Sequence, residues 1–254
     1  MPTVIVENRD RRTTILTLNR PERRNALTIE LMSELVAAIE IAAAESERRV
    51  LVLRGAGAAF CTGLDLNEVS EPQKAHASAE LVAKMLLTVS QTRLVTIAVV
   101  HGAAVAGGAG LMSACDFVVA AEKTKIGYPE VRRGLVAGLV MTFLRRQLRE
   151  RDARELLLGG DLFDAQRAKE IGLVNQVVPR NHLDAEADKI IASVSQGAPQ
   201  ALANTKRLLE ELWSTTVPQD IERALQHHMQ ARGSDEAKEG VAAFLEKRAP
   251  RWAS

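Results

Sequence analysis

The chain has 254 residues, 46% hydrophobic and 26% charged, enough to bury the core of one large or two modest domains. A net charge of +1 and 3% aromatic residues give no basis for a nucleic-acid surface or an anionic membrane partner. Two cysteines at unrelated positions, Cys61 and Cys115, form neither a disulfide framework nor a zinc site, which favours a reducing compartment.

The N-terminal stretch MPTVIVENRDRR lacks the apolar region of a secretory signal, so a cytoplasmic location is expected. VIVEN and TTILTLN flank a polar turn and read as a hairpin. After the loop NRPERRNAL, Thr28 is placed to cap a helix from Ile29 to about Glu45, whose Leu31, Leu35 and Ile39 recur at helical spacing. Arg49 to Arg54 reads as a strand, Gly55 to Gly63 as a loop, and His76 to Gln91 as a helix.

The uncharged, β-branched run Val95 to Val100 reads as a buried strand leading into the glycine-rich HGAAVAGGAG. The stretch Thr96 to Ala121 is long and apolar, but His101, Asp116 and its glycines divide it into strand, turn and helix rather than a membrane span. Phe117 to Ala121 and Lys125 to Gly127 are extended, and Val136 to Leu148 is helical. Asp152 and Asp164 are placed to cap the helices ARELLLG and AQRAKEIG, with Gly172 as the stop of the second. Val174 to Val178 is a last strand. Helices are expected over 181–196, 199–213, 219–232 and 235–247. The β-containing part, 1–180, is thus expected to precede an all-helical segment, 181–254.

Common glycine motifs are absent. Phe60 stands where a dinucleotide fingerprint starting at Gly55 needs its third glycine, and no glycine run leads into Lys-Ser or Lys-Thr. His227 and His228 are adjacent on an expected helix and point to different faces. Two strands do run into turns of small residues, LVLRGAGAAFCTGLDL and VTIAVVHGAAVAGGAG. Two such turns can bring two backbone N–H groups onto one oxygen, the form of an oxyanion hole. A thioester that becomes an enolate would suit such a hole, with Glu130 of GYPEVRRG as a candidate base. Arg132 and Arg133 follow it closely and would favour its ionised form if they faced it.

The pieces LNRPERRNAL, FCTGLDL, VHGAAVAGGAGLMSACDFVVAAE, GYPEVRRGL, LLLGGDLFDAQRAKEIGLVNQVVP and AFLEKRAPRW, in this order and spacing, resemble the crotonase superfamily, the enoyl-CoA hydratase and isomerase family. The resemblance implies an α/β fold, a spiral of repeated ββα units with an all-helical C-terminal region used in assembly as a homotrimer or a dimer of trimers. It implies oxyanion-hole N–H groups on Leu64 and Gly107 and an acid/base role for Glu130. It also implies an acyl-CoA site near Arg23, Arg24, Ala26, Ala59, Cys61, Gly63, Asp65, Leu66 and Gly108. No separate cofactor or metal is implied, because coenzyme A is part of the substrate.

The departure is at residue 110. The family's hydratases carry one glutamate three positions after the oxyanion glycine and a second in the PE element; here the first place is Gly110 and only Glu130 remains. Gly110 is expected to leave room where a second carboxylate stands elsewhere. One carboxylate suffices to move a proton between two carbons, so double-bond isomerisation is favoured over hydration. Hydration is the alternative, with a non-catalytic acyl-CoA-binding homologue, decarboxylation and thioester hydrolysis behind it. Gly138 stands where a dienoyl-CoA isomerase would carry aspartate, which disfavours that subtype.

Overall fold

The computed structural model describes residues 1–65, 68, 72–133, 136–212 and, beyond these, 235, 239, 243, 246, 248, 249 and 251. The expected helix 219–232 and most of 235–247 lie outside the described residues, as do His227 and His228.

Strands β1 (Val4–Asn8) and β2 (Thr13–Leu18) form the expected antiparallel hairpin. Helix α1 (Ile29–Ala44) follows, and Thr28 caps it by accepting a hydrogen bond from the Leu31 N–H. Then come β3 (Val50–Gly55), α2 (Pro72–Gln91), β4 (Val95–Val100), β5 (Ala103–Val105), α3 (Gly107–Ser113), β6 (Phe117–Ala121) and β7 (Lys125–Gly127). Next are α4 (Gly138–Gln147), α5 (Glu150–Gly159), β8 (Leu162–Asp164), α6 (Ala165–Glu170), β9 (Gln176–Val178), α7 (Leu183–Val194) and α8 (Pro199–Glu211).

Among the described residues six strands form one sheet in the order β1-β2-β3-β4-β6-β9, parallel from β2 onward. Its side chains alternate between two apolar layers. Leu51, Leu53, Ala98 and Val100 face the larger core with α1, α2 and α3, whereas Val50, Val52, Ile97 and Val99 face Leu183, Ala187 and Ile191 of α7. Both faces are covered, which is why VTIAVV reads as an unbroken apolar run. Since α7 covers one face, the helical segment after β9 contributes to the core of the sheet itself.

A second, three-stranded sheet runs β5-β7-β8; the sequence had shown only its β7, Lys125–Gly127, as extended. Each strand has only three residues, and β5 had read as part of a turn. Successive units place one strand in each sheet and then a helix: β4, β5 and α3, then β6, β7 and α4. The segment after β3 joins the small sheet through an isolated bridge between Cys61 and Ala104. This is the repeated ββα arrangement in physical terms.

Polar groups tie the layers together. The Arg93 guanidinium donates to the carbonyls of Ala43, Glu45 and Arg48, tying α2's end to the end of α1 and the turn after it. Lys206 of α8 is buried and donates to the Leu94 carbonyl and to Asp116, which also accepts from Thr96. Asp164 caps α6 and Gly172, at φ +90°, ends it, both as expected. Asp152 does not cap its helix: α5 begins at Glu150, and Asp152 lies in its first turn, bonded to Arg149 and Arg167. No helix among the described residues is long and apolar enough to cross a membrane.

Candidate active site

Two glycine turns meet at the edge of the small sheet. The chain leaving β3 runs beside β5, where the Cys61 N–H donates to the Ala103 carbonyl and the Val105 N–H to the Cys61 carbonyl, each at 3.1 Å. It then turns at Gly63, whose φ of +89° favours glycine. A methyl group placed on Gly107 would lie 3.8 Å from the Gly63 Cα and 4.0 Å from the Leu64 nitrogen, so the two backbones touch. Leu27 holds the outer side of this turn, its N–H donating to the Gly63 carbonyl and its carbonyl accepting from the Asp65 N–H. The N–H groups of Leu64 and Gly107 have no acceptor among the described residues. Two adjacent, unpaired donors of this kind can hold one oxygen that gains negative charge.

Strain is concentrated at the same point. Ala106, immediately before α3, sits at φ 51° and ψ −124°, a region that side-chain-bearing residues avoid. Its N–H donates to the Gly127 carbonyl at 2.8 Å, which ties the donor turn to the strand leading into Glu130. Replacing Ala106 with Gly should therefore raise stability by about 1 kcal/mol, or ~3 °C in melting temperature, with the site intact. A thermal melt reads this directly; a fall in melting temperature would show that the conformation carries no strain.

Close approach dictates the other glycines. A methyl group on Gly108 would stand 2.2 Å from the Cys61 carbonyl oxygen, and one on Gly102, at φ +66°, would stand 1.9 Å from that of Ala58. Burial pushes the Cys61 thiol up to about 12, so it stays protonated and is no nucleophile.

Glu130 lies in a 3-10 turn, Pro129–Arg133, directly after β7. The residue is half-buried and its Oε2 is buried. Two positions earlier, the fully buried Tyr128 hydroxyl lies 2.9 Å from Ser113 Oγ on α3, anchoring the turn to the helix that starts at Gly107. Burial, and then the nearby charge of Glu130, push the Tyr128 hydroxyl well above its usual range, so it remains neutral. The side chains of Arg132 and Arg133 lie outside the described residues.

Gly110, one turn into α3, departs from expectation. The room beside it is not open. A methyl group placed there would lie 2.8 Å from Cγ2 of Val140, which α4 presses against this point. Gly138, by contrast, has nothing among the described residues within 4 Å of its missing side chain.

The loop expected near coenzyme A lies alongside. Arg23 and Arg24 are exposed, with Arg24 at φ 50° and Asn25 at φ 55°. Asn25 is fully buried; its amide donates to the carbonyls of Ala56 and Ala59 at 2.9 and 2.8 Å, and its oxygen accepts from the Arg20 N–H. Ala59 is thus buried with its carbonyl committed to Asn25. Arg20 donates to the Ala26 carbonyl and pairs with Asp65 at 3.2 Å, so Asp65 joins the two loops. His101 Nε2 lies 3.0 Å from the Gly57 carbonyl oxygen, which also accepts from Arg180. Burial holds the His101 imidazole below its usual range. Leu66 lies outside the described residues.

Sequence reasoning singled out Leu64, Gly107 and Glu130 but not Arg20, Asn25 and Val140. An Asn after two arginines in a loop is a signal for positive φ. No sequence signal points to Val140, which is brought here only by the packing of α4 on α3.

A profile of the enoyl-CoA hydratase/isomerase family matches residues 10–254. An enoyl-CoA hydratase homologue from Thermus thermophilus is 38% identical over 244 residues, covering 94% of this chain and 96% of its own. The 2,3-dehydroadipyl-CoA hydratase of Escherichia coli is 31% identical and covers 97% of both chains. The crystal structure of an enoyl-CoA hydratase from Mycobacterium smegmatis superimposes with a TM-score of 0.95 at 30% identity over the full length of both chains. Sequence, fold and the paired glycine turns agree: this chain belongs to the enoyl-CoA hydratase/isomerase family of the crotonase superfamily, acyl-CoA thioester enzymes with the crotonase fold.

Proposed function

We propose that the protein is an enoyl-CoA isomerase that shifts a 3-enoyl-CoA double bond into conjugation with the thioester. The thioester oxygen would lie between the N–H groups of Leu64 and Gly107. The Glu130 carboxylate takes a proton from C2, and the electron pair of that C–H bond moves into the carbonyl to give a dienolate held by the two donors. Returning the proton from Glu130 to C4 draws the pair back through the chain and leaves the 2,3-double bond. No atom is gained or lost, and no group beyond the thioester and one carboxylate is required.

The observation that carries this reading is the Val140 side chain against Gly110: the place of a second carboxylate is taken by an apolar group. Arg23 and Arg24, exposed on the loop beside the site, suit the phosphates of coenzyme A. The backbone from Ala59 through Cys61, Gly63 and Asp65, together with Ala26 and Gly108, would border the pantetheine arm and acyl group. The helical segment after residue 180 is assigned a further role in assembly as a trimer or a dimer of trimers.

Hydration of 2-enoyl-CoA is the second reading, favoured by the names of relatives such as the Escherichia coli 2,3-dehydroadipyl-CoA hydratase. Paired absorbance assays at the conjugated-thioester band separate the two. Gain of signal from a 3-enoyl-CoA, with a 2-enoyl-CoA unchanged, is the expected result. Loss of signal from the 2-enoyl-CoA, with no gain from the other, selects hydration. Silence in both, with acyl-CoA bound, selects a non-catalytic homologue.

A further inference from the structure

We infer that Val140 is a specificity-determining residue: its isopropyl group closes the space beside Gly110 and restricts the site to proton transfer within the substrate. The inference rests on the isomerase reading above and extends it to a residue on a different helix.

Gly107 and Gly110 are three apart and share one face of α3. Side chains on a helix tilt toward its N-terminus, so a side chain at 110 would extend toward the Gly107 N–H. Val140 stands against the first atom of any such side chain. From a methyl group built on Gly110, its Cγ2, Cγ1 and Cβ lie at 2.8, 3.4 and 3.6 Å, so the whole isopropyl group faces the glycine.

Val140 has little freedom to move aside. It is 4% exposed and β-branched, with one strongly preferred rotamer in a helix. One turn further, Leu144 is fully buried in the same core. At the far end of α4, Gln147 donates from its side-chain amide to the Ser113 carbonyl at 2.7 Å, which fastens that end of α4 to α3.

The chemical consequence follows from what valine lacks. A water that attacks the β-carbon must be held by two or more polar partners. Val140 offers none where a carboxylate at 110 would have supplied two oxygens. The Gly110–Val140 contact therefore excludes both the second carboxylate and the water it would hold, while Glu130 keeps its own place.

The test is a double-mutant cycle: wild type, Val140→Ala, Gly110→Glu and the combination. Each is read by melting temperature, by hydration of a 2-enoyl-CoA and by isomerisation of a 3-enoyl-CoA. Gly110→Glu alone should melt about 5 °C lower, because the new side chain meets Val140, and should hydrate poorly. Adding Val140→Ala should restore most of the melting temperature and raise hydration about 10²-fold over either single variant. Equal hydration by Gly110→Glu with or without Val140→Ala would overturn the inference, as would additive melting temperatures. A folded double variant that does not hydrate would overturn it too.

If Gly110→Glu fails to fold in either background, Val140→Ser decides. A hydroxyl there should raise the ratio of hydration to isomerisation about tenfold, and an unchanged ratio overturns the inference. Failure of the isomerase reading is seen separately, as a wild type that hydrates 2-enoyl-CoA and leaves 3-enoyl-CoA unchanged.

Discussion

Glu130→Gln should lower turnover of an enoyl-CoA by about 10²–10⁴-fold while acyl-CoA binding changes little. The amide keeps the shape and most of the polarity of the carboxylate but cannot accept the C2 proton. Residues 127–130 are held by groups the substitution leaves alone: the Gly127 carbonyl on the Ala106 N–H, and the Tyr128 hydroxyl on Ser113. The fold and the two donors should therefore persist. Steady-state kinetics together with calorimetric titration of a saturated acyl-CoA check this. Near-normal turnover would remove Glu130 as the base; loss of binding in step with turnover would assign it to binding instead.

Gly108→Ala should be nearly as damaging, for a geometric reason. Its methyl group would fall 2.2 Å from the Cys61 carbonyl oxygen and 2.7 Å from the carbonyl carbon. Both are backbone atoms, fixed because that carbonyl accepts from Val105. Either α3 or the Cys61 segment must shift, and each carries one of the two donors. A misplaced oxyanion donor costs about 10²-fold in kcat, and the overpacking itself about 1–3 kcal/mol of stability. Gly159→Ala is the control, since among the described residues its nearest neighbour, the Asp161 carboxylate, stands 3.8 Å from the new methyl group. The expected contrast is a large fall in kcat for the first and little change for the second. Full activity in Gly108→Ala would mean that the close approach does not set the donor geometry.

Elements with strong local signals were legible in the sequence. The run at Val95–Val100 is apolar throughout because both faces of β4 are covered, and Thr28, Asp164 and Gly172 mark helix ends by local hydrogen bonding or backbone freedom. Of the small sheet only Lys125–Gly127 was read as extended; its pairing into a sheet was not legible. Its strands AAV, KIG and LFD are too short to show alternation, and each is extended only because a distant segment pairs with it. Asp152 misled for a related reason: it has the chemistry of a cap, but tertiary pairing with Arg167 claims it.

The site divides in the same way. The glycines around Leu64 and Gly107 announce close backbone approach, and a carboxylate after a proline announces a candidate base. What the glycine at 110 makes room for depends on a side chain thirty positions later, on another helix, and no local pattern encodes it. The sequence suggested a vacancy there, and folding puts Val140 into it.

The most direct measurement is product analysis after turnover of a 3-enoyl-CoA in heavy-oxygen water. If Glu130 only carries a proton between two carbons and Val140 keeps water away, the product is a 2-enoyl-CoA of the same elemental composition, free of solvent oxygen. A main product heavier by one molecule of labelled water would contradict the account, showing that this site adds water despite the valine beside Gly110.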